Sequence, residues 1–264
     1  MIYKDQKKAA FKKCSAISAT IDKGEISRFN QLAEEWWKPK GAFKVVHAFN
    51  AARIEKLSID LPSIMGRDNR AHQPLAGLTL LDVGCGAGIV SEPLSRLGGK
   101  ITAIDASERN ILVAKQHAEK SGVDINYQNL LPEDLVSTDE TFDIVMSLEV
   151  IEHVVNPDEF LKILASLVKS GGVLVIGTIN RTAISFLKAI IGAEYIMGWL
   201  PKGTHRWRKF VRPDELDRIL VPAGFNVESC CGVDFNPLQQ EWQITKKSHS
   251  IYLRFYKRSP IKDE

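Results

Sequence analysis

The stretch Leu80-Leu81-Asp82-Val83-Gly84-Cys85-Gly86-Ala87-Gly88-Ile89 decides the fold of this chain. The apolar run over 79–83 predicts a buried parallel strand, because it is too short and too rich in β-forming residues for a helix. The three alternating glycines then allow a sharp turn and a close approach of the backbone to a ligand. An amphipathic run over 89–97 predicts a helix next, so the glycine loop lies between a strand and a helix N-terminus.

A second strand is predicted over Lys100–Ile104, and it ends in Asp105, seventeen residues after Gly88. A carboxylate at the tip of the second strand is where a nucleotide-binding α/β unit holds a ribose. Strand, glycine loop, helix, strand and acid in this order predict an α/β, doubly wound, Rossmann-like fold. The alternative is a tight turn that binds no ligand.

The spacing of the glycines helps to choose the ligand. Dinucleotide sites use G-x-G-x-x-G/A, whose third small residue allows close helix packing while a pyrophosphate sits on the helix end. This chain has G-x-G-x-G, and Ile89 stands where that small residue belongs. The loop resembles the one in S-adenosylmethionine-dependent methyltransferases, which accommodates no phosphate. An NAD-dependent oxidoreductase is the rival hypothesis.

Length and composition are those of one large α/β domain with additions, since the chain has 264 residues. The formal net charge of +3 is unremarkable, and we expect no nucleic-acid partner. The four cysteines form no C-x-x-C pair, which indicates a reducing compartment. We expect neither a membrane span nor secretion, because no long apolar run or signal core is present. The lysine-rich segment 1–24 is typical of a solvated arm, with attraction to anionic lipid as the minority interpretation.

Strands and helices continue to alternate after Asp105. A helix is predicted from the Ser107 N-cap to Ala118, and another from Pro157 to Lys169. We expect a mostly parallel sheet of seven strands with one antiparallel strand near the C-terminus. Its remaining elements are predicted at 124–128, 141–148, 173–178, 213–220 (a helix), 225–230 and 250–256.

Additions flank this core on both sides. Helical patterns cover 25–37 and 43–57, followed by a loop over 58–77, and these helices could cap the sheet or close over a cofactor with Arg53 reaching in. The apolar stretch within 180–209 ends in the basic run 201–209. It fits equally a helix packed on the sheet and a lid or membrane-surface element. We divide the chain into an N-terminal arm with capping helices (1–76), a cofactor-binding core (77–180), an insertion (181–210) and the C-terminal elements (211–264).

Three chemically active side chains follow the fourth strand: Glu149, Glu152 and His153. The carboxyl ends of strands border the ligand crevice of an open α/β sheet, so one turn there could point all three inward. Two carboxylates and an imidazole can hold a divalent ion such as Mg²⁺, which would lower the pKa of a phenol. His153 could instead act as a general base, or the residues could merely cap the following helix.

Several short motifs outside the glycine loop are more specific than any of these features. They are Trp36-Trp37, Gly41-Ala42-Phe43-Lys44, His47 through Arg53, Asn180-Arg181, Gly192-Ala193-Glu194-Tyr195, Pro201-Lys202-Gly203-Thr204-His205 and Asn236-Pro237. With the glycine loop and 149–153, they make the chain resemble the ubiquinone-biosynthesis O-methyltransferase family from about Phe29 to the last strand. Members of that family are class I S-adenosylmethionine enzymes that methylate phenolic hydroxyls of polyprenylated rings.

The resemblance implies a set of functional residues. Cofactor contacts would come from Arg53, Gly84, Asp105 and Leu148, while Glu149, Glu152 and His153 would bind Mg²⁺. Three departures leave these residues intact: Ala87 replaces a common glycine, Asn50-Ala51-Ala52-Arg53 replaces Asn-Pro-Leu-Arg, and the connection over 58–76 is long.

The resemblance also implies substrates, partners and a location. The substrates would be 2-polyprenyl-6-hydroxyphenol and 3-demethylubiquinol, with an anionic membrane surface and other ubiquinone-biosynthesis enzymes as partners. The location would be cytoplasmic, at the inner face of the membrane, or the mitochondrial matrix in a eukaryote. The alternatives are a methyltransferase for another small phenol or lipid-like acceptor, and a non-catalytic membrane-associated assembly factor.

Overall fold

The computed structural model describes residues 24, 36–37, 44–186 and 207–260. The predicted lysine-rich arm except Gly24, most of the helix over 25–37 and the apolar and basic stretch over 187–206 lie outside these residues. The helices are α1 Lys44–Ile64, α2 Ser91–Arg96, α3 Glu108–Ser121, α4 Pro132–Val136, α5 Pro157–Ser166, α6 Ala183–Ser185 and α7 Pro213–Leu220. The strands are β1 Thr79–Val83, β2 Lys100–Ile104, β3 Asn126–Gln128, β4 Phe142–Leu148, β5 Val168–Ile179, β6 Phe225–Asn236, β7 Glu241–Thr245 and β8 Ile251–Arg258, and 3₁₀ turns lie at Ile151–His153 and Trp207–Lys209.

The eight strands within the described residues form one sheet, in the order β3-β2-β1-β4-β5-β8-β6-β7. Strands β3, β2, β1, β4 and β5 pair in parallel. Strand β8 runs antiparallel to both β5 and β6, and β7 runs antiparallel to β6 at the edge. The predicted seven-stranded Rossmann-like core with one antiparallel strand is confirmed, and β7 is an eighth strand that the sequence did not predict.

Side chains on the two faces of the sheet form two separate apolar cores. Along β4, Ile144 and Met146 face a core completed by α1, α2 and α3, whereas Val145 faces one completed by α5 and α7. This alternation follows from the two-residue period of a strand. A strand buried on both faces therefore reads as the continuous apolar run that the sequence shows.

Local signals set the helix boundaries that matter for the site. The Ser107 hydroxyl accepts a hydrogen bond from the Asn110 N–H at 3.0 Å, which confirms the predicted N-cap of α3. Helix α3 ends at Ser121 and is capped by Gly122, whose φ of 65° is the left-handed value expected of a glycine at that position. These caps fix the direction of α3, which borders the glycine loop.

Two predicted helix ends are wrong. The loop predicted from residue 58 begins only after Ile64, because Leu57 and Leu61 are fully buried and their packing extends α1 past Pro62. The Lys257 ammonium donates to the Ile64 carbonyl at 2.7 Å and so satisfies the end of that helix. The helix predicted to reach Lys169 ends at Ser166, since Val168 already pairs with Phe142 in the sheet.

None of the helices in the described part of the chain is long and apolar enough to cross a membrane.

Candidate active site

The glycine loop passes directly against the turn that follows β4. Gly84 has a φ of 77°, and a β-carbon there would lie 2.3 Å from the Val150 side chain. Gly88 has a φ of 85°, and a β-carbon there would lie 2.1 Å from the Tyr127 hydroxyl. Both positions therefore need glycine for backbone conformation and for space. The loop is held between β4 and β3, with its backbone close to the carboxyl ends of the strands.

Asp105 lies at the tip of β2, as predicted, and it points towards the glycine loop. Its carboxylate accepts hydrogen bonds from the N–H groups of Gly86 at 2.9 Å and Ser107 at 2.8 Å, and from the Asn110 amide at 3.3 Å. Burial raises the pKa of Asp105, while these hydrogen bonds act in the opposite direction. The carboxylate is thus oriented by the loop and by the start of α3.

Arg53 reaches the same edge of the sheet from α1. It is only 5% exposed, its guanidinium lies 3.3 Å from the Glu149 carboxylate, and it also donates to Asn50. The guanidinium carbon sits 4.2 Å from the centroid of the Phe49 ring, a cation–π contact. Burial lowers the pKa of Arg53, and the nearby carboxylates counteract that effect. The predicted inward-reaching cation is therefore present, with an acidic partner.

Glu149, which is half-buried, and Glu152, which is buried, form a carboxyl pair after β4. Glu149 has a φ of 58°, a left-handed conformation that costs a non-glycine residue on the order of 1–3 kcal/mol and turns its side chain towards Arg53. The Glu152 carboxylate accepts a 2.7 Å hydrogen bond from the Thr178 hydroxyl. Burial and then the Glu149 charge raise the pKa of Glu152 to about 8. Two adjacent carboxyl groups in a dry site cannot both ionise cheaply without a cation nearby.

The remaining predicted residues flank this pair. Leu148 ends β4, is 9% exposed and would touch a β-carbon placed on Gly177. His153 is half-buried at the end of the 3₁₀ turn, and its N–H donates to the Val150 carbonyl at 2.8 Å. Within the described residues, no three His, Cys, Asp or Glu side chains are placed to hold a metal ion together. The three-residue set of Glu149, Glu152 and His153 is therefore not assembled in this structure.

One acidic residue of the site was missed by the sequence analysis. Asp82, in β1, is 3% exposed and accepts a 2.6 Å hydrogen bond from the Ser91 hydroxyl. Burial raises its pKa to about 6, and the Asp105 charge also raises that pKa, whereas Ser91 and Arg53 lower it. Its place two residues before Gly84, the first glycine of the loop, was the signal in the sequence that could have identified it. Glu149, Asp82 and Glu152 thus act electrostatically on Arg53, and Asp105 acts on Asp82, an arrangement that favours a cationic ligand over an anionic one.

Comparisons with known proteins define the class first. Residues 52–230 match the sequence model of a methyltransferase domain family, and this range contains the glycine loop and the four carboxyl groups. A magnesium protoporphyrin IX methyltransferase from Synechocystis, solved with bound S-adenosylhomocysteine, has a similar fold with a TM-score of 0.59 and 19% identity, over 88% of this chain and 94% of that one. A methyltransferase from Thermotoga maritima gives a TM-score of 0.60 with 22% identity, over 89% and 99% of the two chains. The class is that of S-adenosylmethionine-dependent methyltransferases.

Closer relatives define the particular family. A protein from Dinoroseobacter shibae named ubiquinone biosynthesis O-methyltransferase is 43% identical, over 88% of this chain and 94% of its own length. A protein of the same name from Chelativorans sp. is 45% identical, over 89% and 92% of the two chains. The chain belongs to the ubiquinone biosynthesis O-methyltransferase family. Neither the NAD-dependent oxidoreductase nor the non-catalytic assembly factor is favoured by these comparisons.

The raised pKa of Asp82 predicts a pH-dependent effect of Asp82→Asn. The folded protein holds the Asp82 proton up to about pH 6, whereas an unfolded aspartate releases it near pH 4. The wild type therefore loses stability as the pH rises through that window, and the neutral asparagine does not. We expect the ligand-free variant and wild type to melt alike near pH 4, and the variant to melt higher near pH 7.

Asp143→Asn is the matched control with the opposite sign. Burial acts to raise the pKa of Asp143, but hydrogen bonds from Thr79 and Lys169 outweigh it and lower that pKa. Asp143 therefore stabilises the fold at neutral pH, and this stabilisation is lost on acidification. Asp143→Asn should melt below the wild type near pH 7. Equal, pH-independent shifts for the two variants would contradict the assignment of Asp82.

Proposed function

We propose that this chain transfers a methyl group from S-adenosylmethionine to phenolic hydroxyls of polyprenylated ubiquinone precursors. The substrates would be 2-polyprenyl-6-hydroxyphenol and 3-demethylubiquinol. The observation that carries the proposal is the buried acidic cluster around Arg53 at the carboxyl edge of the sheet. A sulfonium cofactor is cationic and suits this cluster, whereas the pyrophosphate of NAD would meet like charge there. The names of the relatives supply the class of acceptor.

Four residues would hold the cofactor. Asp105 is placed to accept hydrogen bonds from the ribose hydroxyls, as acids at the tip of the second strand do in nucleotide-binding folds. The Gly84 backbone would lie against the amino-acid part of the cofactor, and Leu148 would offer an apolar surface beside it. Arg53 would face the cofactor carboxylate while it remains paired with Glu149. The segments 1–76 and 181–210 would close the two sides of this crevice.

The reaction would be a direct displacement at the methyl carbon. A bond forms between the phenolate oxygen and that carbon, the carbon–sulfur bond breaks, and its electron pair stays on sulfur to give S-adenosylhomocysteine. The sulfonium is a good leaving group, so the protein has to align the two molecules and remove the phenolic proton. His153 would take that proton as general base, since the unperturbed imidazole pKa lies near neutrality.

Mg²⁺ is a further component of the hypothesis. Glu149 and Glu152 fit it in part, because they are neighbouring carboxyl groups whose raised pKa values a cation would lower. His153 does not join them in a three-ligand group, so the fit is partial and no step of the reaction is derived through the metal. When bound, the ion would supply Lewis acidity to a phenolic oxygen.

A substrate with a polyprenyl tail partitions into lipid, so association with a membrane surface would give the protein access to it. Ile184, Phe186 and Trp207 are 41%, 42% and 39% exposed at the two ends of the segment 187–206. The Trp207 indole N–H donates to the Thr182 carbonyl at 3.0 Å, so these ends lie side by side. The next residue, Arg208, is an exposed cation. Apolar and basic side chains in one place are typical of a surface that binds anionic lipid.

The first prediction of this proposal concerns the cofactor. Calorimetry should show binding of S-adenosylhomocysteine and no measurable binding of NAD. Asp105→Ala should weaken the former by about 1–3 kcal/mol, because a hydrogen bond to a charged group is lost. Asp124→Ala, which removes an exposed carboxylate before β3, at the opposite (amino) edge of the sheet, should leave the affinity unchanged. Tight NAD binding would overturn the proposed function.

The second prediction concerns turnover and metal. With S-adenosylmethionine and a short-chain prenylated catechol, mass spectrometry should detect the O-methylated product. EDTA should abolish this turnover and added Mg²⁺ should restore it. Mg²⁺ should also raise the melting temperature of the wild type but not of a Glu149→Gln, Glu152→Gln double variant, because a bound ion stabilises the folded state by mass action. Full turnover in EDTA would contradict a role for Mg²⁺ and leave His153 as the group that removes the phenolic proton.

The third prediction concerns lipid. The protein should sediment with anionic liposomes, since each cation near a charged membrane is worth about 1 kcal/mol, and high salt should weaken the binding. Replacing Arg206, Arg208 and Lys209 with Glu should release the protein without changing its affinity for S-adenosylhomocysteine. If the wild type does not sediment with anionic liposomes at low salt, the membrane part of the proposal is contradicted.

A further inference from the structure

Two consecutive tryptophans lie against the glycine loop and form what we call the tryptophan wall, Trp36 and Trp37. The Trp36 ring lies 3.5 Å from the position of a β-carbon on Gly86. The Trp37 indole N–H donates to the Ala87 carbonyl at 2.9 Å. The wall therefore covers the middle of the loop that carries Gly86 and Ala87.

His117 holds this wall from the other side. Its ring is parallel to that of Trp37 within 3°, with 3.4 Å between the centroids. The stacking fixes the plane of the Trp37 indole, and the hydrogen bond to Ala87 fixes its rotation within that plane. The stacking surface belongs to α3, whose first turn binds Asp105.

The His117 ring is itself fixed by buried partners. Its Nδ1 lies 2.6 Å from the Glu92 carboxylate, whose side chain is only 4% exposed, and 3.1 Å from the Ser121 hydroxyl. An ionised carboxylate can only accept hydrogen bonds, so Nδ1 of His117 carries a hydrogen and donates a hydrogen bond to Glu92. Glu92 lies in α2, directly after the glycine loop. The imidazole plane is thus set jointly by α2 and α3.

A second attachment ties the wall to α1. The His47 Nε2 lies 2.6 Å from the Trp36 carbonyl, and the His47 ring is 5.8 Å from that of Trp37. Helix α1 also carries Arg53, which meets Glu149. The wall consequently connects the helix that supplies the cationic group with the loop and helices that border Asp105.

We propose that His117, fixed by Glu92, is a positioning residue for cofactor binding, because it docks the tryptophan wall over the glycine loop. His117 itself does not touch the reacting atoms. The proposal rests on the proposed function for the identity of the cofactor, but the docking is a property of the ligand-free protein. Removing the stacking surface should loosen the wall and open that side of the cofactor site.

The test compares variants of the full chain by calorimetry and kinetics. His117→Ala should weaken S-adenosylhomocysteine binding about threefold to tenfold, the range expected for one lost aromatic pair. His117→Phe keeps a stacking ring and should restore most of the affinity. The KM for S-adenosylmethionine should rise in His117→Ala while kcat at saturating cofactor stays near the wild-type value, a split that general destabilisation would not produce. His72→Ala, at an exposed histidine, is the matched control.

Hydrogen exchange of the ligand-free protein separates this proposal from the cofactor assignment. Peptides that cover 84–88 should exchange faster in His117→Ala than in wild type or His117→Phe, since the Trp37–Ala87 contact is weakened. If the wild type fails to bind S-adenosylhomocysteine yet the loop exchanges faster, the docking is supported and the cofactor assignment fails. Unchanged exchange at the loop, or wild-type cofactor affinity in His117→Ala, would overturn the proposal.

Discussion

The close approach of Gly84 to Val150 constrains the rest of the site. The glycine loop follows β1 and the acid-bearing turn follows β4, two neighbouring parallel strands. A β-carbon at position 84 would lie 2.3 Å from Val150, so only glycine lets both segments occupy the same edge. That contact brings the loop and Glu149 together without any contribution from the additions at either end of the chain. Arg53 and the tryptophan wall then meet a surface that is already formed.

The electrostatics of the site follow from this crowding. Asp82 and Glu152 are buried, Asp105 and Glu149 are half-buried, and desolvation is the first cause of the raised pKa of each. The guanidinium of Arg53 offsets this effect only in part. With a pKa of about 8, Glu152 keeps its proton at neutral pH, and a cationic ligand would favour its ionised form. The sulfonium of the cofactor is cationic, whereas the thioether of the product is neutral. The acidic residues therefore attract the product less strongly than the cofactor.

The positions of the core strands along the chain could be predicted from the sequence, because parallel strands buried on both faces give continuous apolar runs. Thr79–Val83 and Lys100–Ile104 were predicted with their observed bounds. The end of α1 could not be predicted, because Pro62 and its polar neighbours suggest a loop while the packing of Leu61 is invisible in one sequence. Strand β7 was missed for a similar reason: its Trp242 is placed by the Phe49 ring of α1, 4.9 Å away.

Sequence reasoning found the reactive groups of the site but not their partners, and the partners set the chemistry. Glu149 is identified by its place after a strand, whereas its ion pair with Arg53 spans 96 positions of the chain. The contact of Trp37 with Ala87 spans 50 positions. Long-range contacts of this kind depend on how helices pack, which local patterns do not specify. Glu92 and His117 are examples, because they lie outside all the motifs named for this chain, yet their contacts join α2, α3 and the tryptophan wall.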